Sequence, residues 1–228
     1  FSFANAADFD PDILTTDEQK WLQNHANKLA VAPEENYPPF TFFEGDVWQG
    51  MSADFIQEVE EKIGTSFSIL APRNLDTILE SFRNGESAIV TSIKQTQERS
   101  QYLCFTQPYV SVPTIIIVKA DSNANSWPES FIGKRVAVGK GYGVQMYLER
   151  NFPNIDLSLV SNDLKALHKL SFGEVDAVIM DIASASYLID IEKITNLRVF
   201  EKFDYNYDLS FGVHKDFSVL CNILSKAL

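Results

Sequence analysis

The chain has 228 residues, 45% of them hydrophobic and 22% charged, enough to bury the core of one large or two small domains and too apolar for disorder. Nineteen Lys and Arg against 31 Asp and Glu leave a net charge of -12. No basic stripe is present to displace counterions from nucleic-acid phosphates, and anionic membrane surfaces are disfavoured by the same sign. Two cysteines, Cys104 and Cys221, exclude a disulfide framework and any cysteine-rich zinc site. Isolated in a chain this long, they are expected as buried thiols rather than a pair. The longest apolar stretch, Pro113 to Val118, is too short to span a bilayer.

In chain order, residues 1–6 end in Ala4-Asn5-Ala6, an A-x-A pattern that suits either the tail of a cleaved signal peptide or an arbitrary boundary. Asp8, Asp10 and Asp12 alternate like a calcium loop but lack its Gly and closing Glu, so a solvated acidic lead is expected. Thr15 and Glu18 have capping-box spacing, which predicts a helix to His25 with Trp21 and Leu22 on its apolar side. Lys28 to Ala32 reads as a short buried strand stopped by Pro33. Helices are predicted at about Ser52 to Ile63, ended by Gly64, and at Leu75 to Phe82, where apolar residues recur at i, i+3, i+4 and i+7. Strands follow at Ile115 to Val118, at Arg135 to Val138 and at Leu209 to Val213, and a last helix at Phe217 to Leu228. Alternating helices and short apolar strands define an α/β class with mostly parallel pairing.

Residues 75–92 and 164–181 echo each other: an amphipathic helix, a Gly-Glu turn (Gly85-Glu86, Gly173-Glu174) and an apolar strand (Ala88 to Val90, Ala177 to Met180). A spacing of this size is too long for a solenoid repeat, so two similar lobes are expected, the second starting after the polar run 121–128. The chain then returns to the first lobe near its end. That makes two crossings, and two strands crossing together form a hinge over a cleft.

Ligands of open α/β sheets sit outside the carboxyl ends of strands. The first echo leads to Thr96, a candidate N-cap that places Arg99 in the first turn of a helix. A cation there opposes the helix dipole, so it is either a partner for a ligand carboxylate or a solvated surface residue. The second echo ends at Asp181, either an acceptor for a ligand ammonium or the N-cap of the following helix. Together they present the charges that an α-amino acid needs. Gly139-Lys140-Gly141-Tyr142-Gly143 follows a strand and precedes a helix, and serves either to bring backbone amides to a ligand or as a tight turn. His25, His168 and His214 lack metal-ligand spacing, and nucleophile-elbow, H-E-x-x-H and Walker A patterns are absent. Neither a metal nor another cofactor is expected.

These residues resemble the type II periplasmic binding proteins of the amino-acid-binding class, the extracellular solute-binding protein family 3. The likeness rests on Tyr37-Pro38-Pro39-Phe40, Gly50 and Asp54-Phe55; on Thr96-Gln97-Glu98-Arg99 with Phe105-Thr106-Gln107-Pro108-Tyr109; and on Gly133 to Val138 and Gly173 to Asp181. It covers nearly all of 28–228 and implies a two-lobed flytrap with two hinge crossovers and a small-molecule ligand enclosed by closure. The expected division is a lead at 1–27, lobe 1 at 28–118, lobe 2 at 119–205 and a return to lobe 1 at 206–228.

Carried over by this resemblance, Arg99 holds the ligand α-carboxylate and Asp181 its α-amino group. Tyr37 covers the ligand, Glu34 faces its side chain, and Ser92 and Leu75 line the first-lobe wall. Three positions depart from the family pattern: Lys94 stands for Ser or Thr, Tyr142-Gly143 for a Thr-Thr pair, and Ser87 for a structural Asp. Lys94 either adds a cation for an acidic ligand or pairs with Glu34 and fills part of the pocket.

The lead Leu14 to His25 is similar to the opening of flytrap sensor domains of membrane histidine kinases and diguanylate cyclases. The resemblance therefore implies a periplasmic, membrane-tethered sensor domain, not itself an enzyme, whose partner is a membrane-anchored signalling protein or its own transmembrane segment. The end inside an apparent helix at Ser225 to Leu228 fits a domain that precedes a membrane segment. Alternatives on the same scaffold are a soluble binding protein of an amino-acid ABC transporter and a dehydratase with Glu34 or Asp181 as general acid.

Overall fold

A computed structural model describes residues 13–85 and 89–228, without the side chain of Asn27. The Ala4–Ala6 pattern, the aspartates at 8, 10 and 12, and Glu86, Ser87 and Ala88 lie outside the described residues. Helix α1 (Thr16–His25) starts on the predicted capping box: the Glu18 amide donates to Thr15 Oγ1 and the Thr15 amide to Glu18 Oε2, at 3.3 and 2.8 Å. Strand β1 (Ala30–Ala32) follows, then a small antiparallel meander of β2 (Asn36–Tyr37), β3 (Thr41–Glu44) and β4 (Val47–Gln49). Helix α2 (Met51–Ile63) buries Ile56, Val59 and Ile63 on one face and stops at Gly64, whose φ of 64° only glycine adopts without cost. Next come β5 (Ser68–Ile69), α3 (Leu75–Arg83), β6 (Ile89–Lys94), β7 (Leu103–Phe105) and the long β8 (Val110–Lys119).

The chain continues through β9 (Arg135–Gly139), α4 (Gly143–Asn151), β10 (Asp156–Val160), α5 (Asp163–Ser171), β11 (Ala177–Asp181) and α6 (Ile182–Ile191). It returns along β12 (Leu197–His214) and ends in α7 (Ser218–Ala227). Strand order is β10-β9-β11-β8-β12-β6-β1-β5, with β7 paired to β12. Pairing is parallel only at the two ends, β5-β1-β6 and β10-β9-β11, and antiparallel through the middle. The expectation of mostly parallel pairing is therefore corrected. The apolar patches at 115–118 and 209–213 are the continuously buried parts of longer strands whose other residues alternate between buried and exposed, and these strands pair antiparallel along most of their length.

That long pair is the hinge. Each end of the sheet carries its own helices and core. Leu22, Val31, Ile56, Val59, Phe211, Leu220 and Leu224 pack between α1, α2, α7 and the sheet at one end, and Ala137, Leu167, Leu170, Val178 and Leu188 at the other. A third cluster, including Tyr37, Leu75, Val138, Tyr142 and Tyr207, spans the space between. The architecture is two-lobed α/β, as expected. Register shifts between Val199 and Glu201 and between Phe203 and Asn206 mark where β12 bends between the lobes.

Candidate functional site

The carboxyl ends of β1 and β6 in the first lobe face those of β9 and β11 in the second. Arg99 follows β6 and its amide donates to Thr96 Oγ1 at 3.2 Å, the predicted cap, but the segment is a 3-10 turn (Arg99–Gln101), not the start of an α-helix. Nor is Arg99 a surface residue: it is 1% exposed. Its Nη1 donates to the Lys94 carbonyl at 2.5 Å and its Nη2 reaches across to the Gly141 carbonyl at 2.6 Å, while Nε has no hydrogen-bond partner. Burial lowers its pKa, opposed by Tyr205, Tyr102, Tyr207 and Glu98, and a guanidinium so placed stays charged.

Asp181 is the N-cap considered for it. Its Oδ1 caps α6 by accepting the Ser184 amide at 2.7 Å, and its Oδ2 accepts the Tyr37 hydroxyl from the opposite lobe at 3.0 Å. Burial raises its pKa and these bonds hold it down. Glu34 lies between β1 and β2, 4% exposed, and Oε1 accepts the Tyr142 hydroxyl across the cleft at 2.7 Å. Desolvation pushes its carboxyl up to about 8, against the pull of Tyr142 and Arg99. Tyr37 packs edge-on against Tyr142, with ring centroids 5.5 Å apart.

Lys94 pairs with neither Glu34 nor an open cleft. Its Nζ bonds Asp208 Oδ2 at 2.8 Å and lies 5.0 Å from the Tyr205 ring centroid, which corrects the expected partner. Ser92 is held at φ 49°, an uncommon conformation for a residue with a Cβ. Its amide donates to the Tyr109 hydroxyl at 2.7 Å and its Oγ is hydrogen-bonded to Ser52 Oγ at 2.6 Å. Of the two readings of the glycine loop, the tight turn is seen, the Tyr142 amide donating to the Gly139 carbonyl at 3.1 Å; the Gly141 amide donates within its own lobe to Gln145 Oε1, and the Gly141 carbonyl crosses the cleft. Gly141 needs to be glycine, since its φ is 83° and a Cβ would lie 3.2 Å from the Asp76 Cα.

Eight of the nine residues named from the sequence, Glu34, Tyr37, Leu75, Ser92, Lys94, Arg99, Tyr142 and Gly143, surround one space with Tyr207 and Leu209. Asp181 stands behind the Tyr37 hydroxyl. The enclosed space is about 10 Å³, room for a single water. The protein's own groups bond to one another across this space: Tyr37 to Asp181, Tyr142 to Glu34 and Arg99 to the Gly141 carbonyl.

Asp163, Tyr207 and Leu209 were not singled out by the sequence. Asp163 follows the N-cap Asn162 and looks like an ordinary first-turn acid, yet it is 1% exposed and neither carboxylate oxygen has a partner. Burial holds its pKa well above the usual range, and Asp181 and Glu34 push it further. Tyr207 and Leu209 sit in β12, whose long alternation is hidden by its register shifts. Elsewhere, Cys221 is buried and Cys104 half-buried, both free, and the three histidines lie apart: His25 on the Trp21 carbonyl, His168 by Glu192 and His214 by Asp216.

Two lobes on one sheet, joined by a pair of crossing strands and meeting at a polar cleft, define a flytrap domain, a class that encloses small molecules. The sequence agrees: the model of bacterial extracellular solute-binding proteins, family 3, matches residues 29–228, and the chain belongs to that family. It is similar to the virulence sensor protein BvgS of Bordetella pertussis (strain Tohama I), 26% identical over 223 residues, 97% of this chain and 18% of that protein. It therefore spans under a fifth of the length of that sensor. It is also similar to the L-cystine-binding protein TcyJ of Escherichia coli (strain K12), 27% identical over 172 residues, 74% of this chain and 63% of that one. Among solved structures, the periplasmic VFT2 domain of Bordetella pertussis BvgS superposes with a TM-score of 0.80 at 24% identity, covering 93% of this chain and 91% of that one.

Proposed function

We propose that this chain is the extracytoplasmic solute-sensing domain of a membrane-linked receptor, which binds a small amino-acid-like molecule between its lobes and signals through the change in closure. The observation that carries the reading is the lead helix. The sensor likeness takes in 97% of the chain, too much to omit α1, whereas the family match begins only at residue 29. In the structure α1 is bolted to the terminal helix α7 and the residue that precedes it: Lys226 Nζ bonds Glu18 at 2.7 Å, and Trp21 and His25 both meet Phe217 edge-on. An element that fastens the end of the domain suits passing a motion onward. No helix among the described residues is long and apolar enough to cross a membrane; the 18% share of the BvgS sensor that the chain matches supports a membrane-linked part in a longer protein.

In this reading the lobes divide as 28–118 and 119–205, with 206–228 returning to the first. Arg99 takes the solute carboxylate in exchange for the Gly141 carbonyl, and Asp181 takes the ammonium in exchange for Tyr37. The domain itself binds rather than catalyses, and the output belongs to another domain. The likeness to TcyJ supports a second reading, a soluble binding protein for an uptake transporter. A reading frame that stops shortly after Leu228 favours that one, and one that runs on into an apolar segment and a cytoplasmic domain favours the sensor.

A thermal-shift screen of amino acids, dicarboxylates and small organic acids tests solute binding. Ligand at about a hundredfold over its Kd stabilises by roughly 2.7 kcal/mol, a shift of several degrees for a chain of this size. Arg99→Ala and Asp181→Ala each abolish the shift given by an amino acid, and binding that survives in both refutes the clamp. Glu34, protonated up to about pH 8, has the pKa of a general acid. The screen therefore includes prephenate and arogenate, whose turnover would move the chain to the enzyme class.

A further inference from the structure

We propose that Cys104 and Cys221 are a redox pair, closed to a disulfide by oxidation outside the cytoplasm, which staples the terminal helix α7 to the first-lobe sheet. The inference does not depend on the solute. These are the two cysteines of the chain, they come from opposite halves of the sequence, and both are free thiols in the structure. The fold brings them together. Cys104 is the middle residue of β7, where it pairs with Val213 of β12. Cys221 lies near the start of α7, a helix that packs on both β7 and β12. It is part of a buried cluster with Val213, Leu220 and Leu224, and Cys104 packs against the same cluster. Their thiols lie within hydrogen-bonding reach of each other. A lone cysteine in such a core behaves as a small hydrophobe, whereas two that face each other have a reaction open to them.

Their surroundings differ in the way that reaction needs. The Cys221 thiol lowers the pKa of Cys104, against burial, and Lys215 lowers it further. The same contact, with burial, raises the pKa of Cys221. Cys221 therefore keeps its proton and Cys104 carries the thiolate, at the half-buried position of the two. In the first step the Cys104 thiolate attacks one sulfur of an external disulfide, such as oxidised glutathione. That S–S bond breaks, one thiolate leaves, and a mixed disulfide forms on Cys104. Cys221 then gives up its proton, attacks the Cys104 sulfur and expels the second thiolate. The pair loses two electrons and two protons, and the external disulfide becomes two thiols.

The chain belongs to a family of extracellular proteins, and outside the cytoplasm disulfides form and persist. The bond would join elements that already touch. Lys226 of α7 holds Glu18 of α1, and Lys62 of α2 donates to the Ala227 carbonyl at 2.8 Å. With α7 tied to β7, the lead helix, the terminal helix and the first-lobe sheet move as one body. A cross-link between positions so distant in sequence also restricts the unfolded chain, which raises stability.

The test is to reduce the 228-residue chain, remove the reductant and incubate it with oxidised glutathione. Both thiols are expected to escape alkylation under denaturing conditions, with the mass lowered by two hydrogens and the peptides of Cys104 and Cys221 joined in a non-reducing map. The oxidised chain is expected to stay monomeric and to melt several degrees above the reduced one, a difference that dithiothreitol removes. Cys104→Ser, at the less buried position, is expected to fold, to melt close to the reduced chain and to show no dependence on oxidant. Two free thiols after incubation overturn the inference, as does a lasting glutathione adduct on Cys104 beside a free Cys221, or a disulfide between two copies of the chain. A disulfide between Cys104 and Cys221 that leaves the melting temperature unchanged overturns the staple.

Discussion

Glu34 faces Tyr142, Arg99 and Glu35, and desolvation holds its carboxyl up to about 8, whereas an unfolded glutamate titrates near about 4.3. Between those values the closed domain keeps a proton that the unfolded chain has lost. Stability therefore falls as pH rises through that window and levels off above it. Asp163 and Asp181, also raised by burial, contribute with the same sign. Glu18 and Asp208 are held low by their lysine partners and matter only in acid, where protonation removes their contribution. The melting temperature of the unliganded domain is thus expected to fall from about pH 5 to pH 8, and Glu34→Gln to flatten that slope. A melting temperature that climbs steadily over the same range contradicts the assignment. At Asp181, replacement by Ala removes the cap of α6 and costs about 1–2 kcal/mol in denaturant unfolding, whereas Asn retains a capping oxygen and costs less.

At the level of elements, α1 and α7 behave as one unit. Leu22 is buried among α1, α7 and the first-lobe sheet, so Leu22→Ala is expected to cost about 2–4 kcal/mol by chemical unfolding. Glu18→Ala, which loses half a capping box and an exposed ion pair with Lys226, is expected to cost about 1 kcal/mol. The opposite ordering would mean that α1 is held by charge rather than by packing. The helices α2, α3 and α7 were legible in the sequence to within a residue or two, because period, cap and stop agree: Gly64 closes α2, Asn74 caps α3, and their apolar faces are buried. The crossing strands were not. Only parts of β8 and β12 are continuously apolar, and a strand of 18 residues with register shifts against both neighbours breaks its own alternation. The candidate site divides in the same way. Arg99 and Asp181 follow strand ends that the internal echo points to, and Glu34 came from family resemblance. Asp163 stayed hidden because nothing local separates a buried acid at the start of a helix from a solvated one. The partner of Lys94 is fixed by a residue 114 positions away, which no local pattern carries.

Across the whole molecule, polar contacts join the lobes at the cleft. Tyr37 on Asp181, Tyr142 on Glu34 and Arg99 on the Gly141 carbonyl all cross the cleft, and Lys140 bonds Asp76 at its rim at 2.6 Å. In the proposed reading, binding exchanges these internal bonds for solute bonds, and the position of the lobes follows that exchange. The net charge of -12 favours the approach of a cationic molecule over an anionic one. Gly141 is where backbone meets backbone, 3.2 Å from the Asp76 Cα once a Cβ is added. Gly141→Ala is expected to hold the lobes apart and to raise the radius of gyration in solution scattering, and an unchanged radius would show that the loop yields instead. The most direct measurement is a crystal structure of the chain grown with the amino acid that gives the largest thermal shift. The account predicts the solute between the lobes, its carboxylate on Arg99 and its ammonium on Asp181, with Tyr37 displaced from that oxygen. Solute bound elsewhere while the Tyr37 to Asp181 and Tyr142 to Glu34 bonds persist would contradict it.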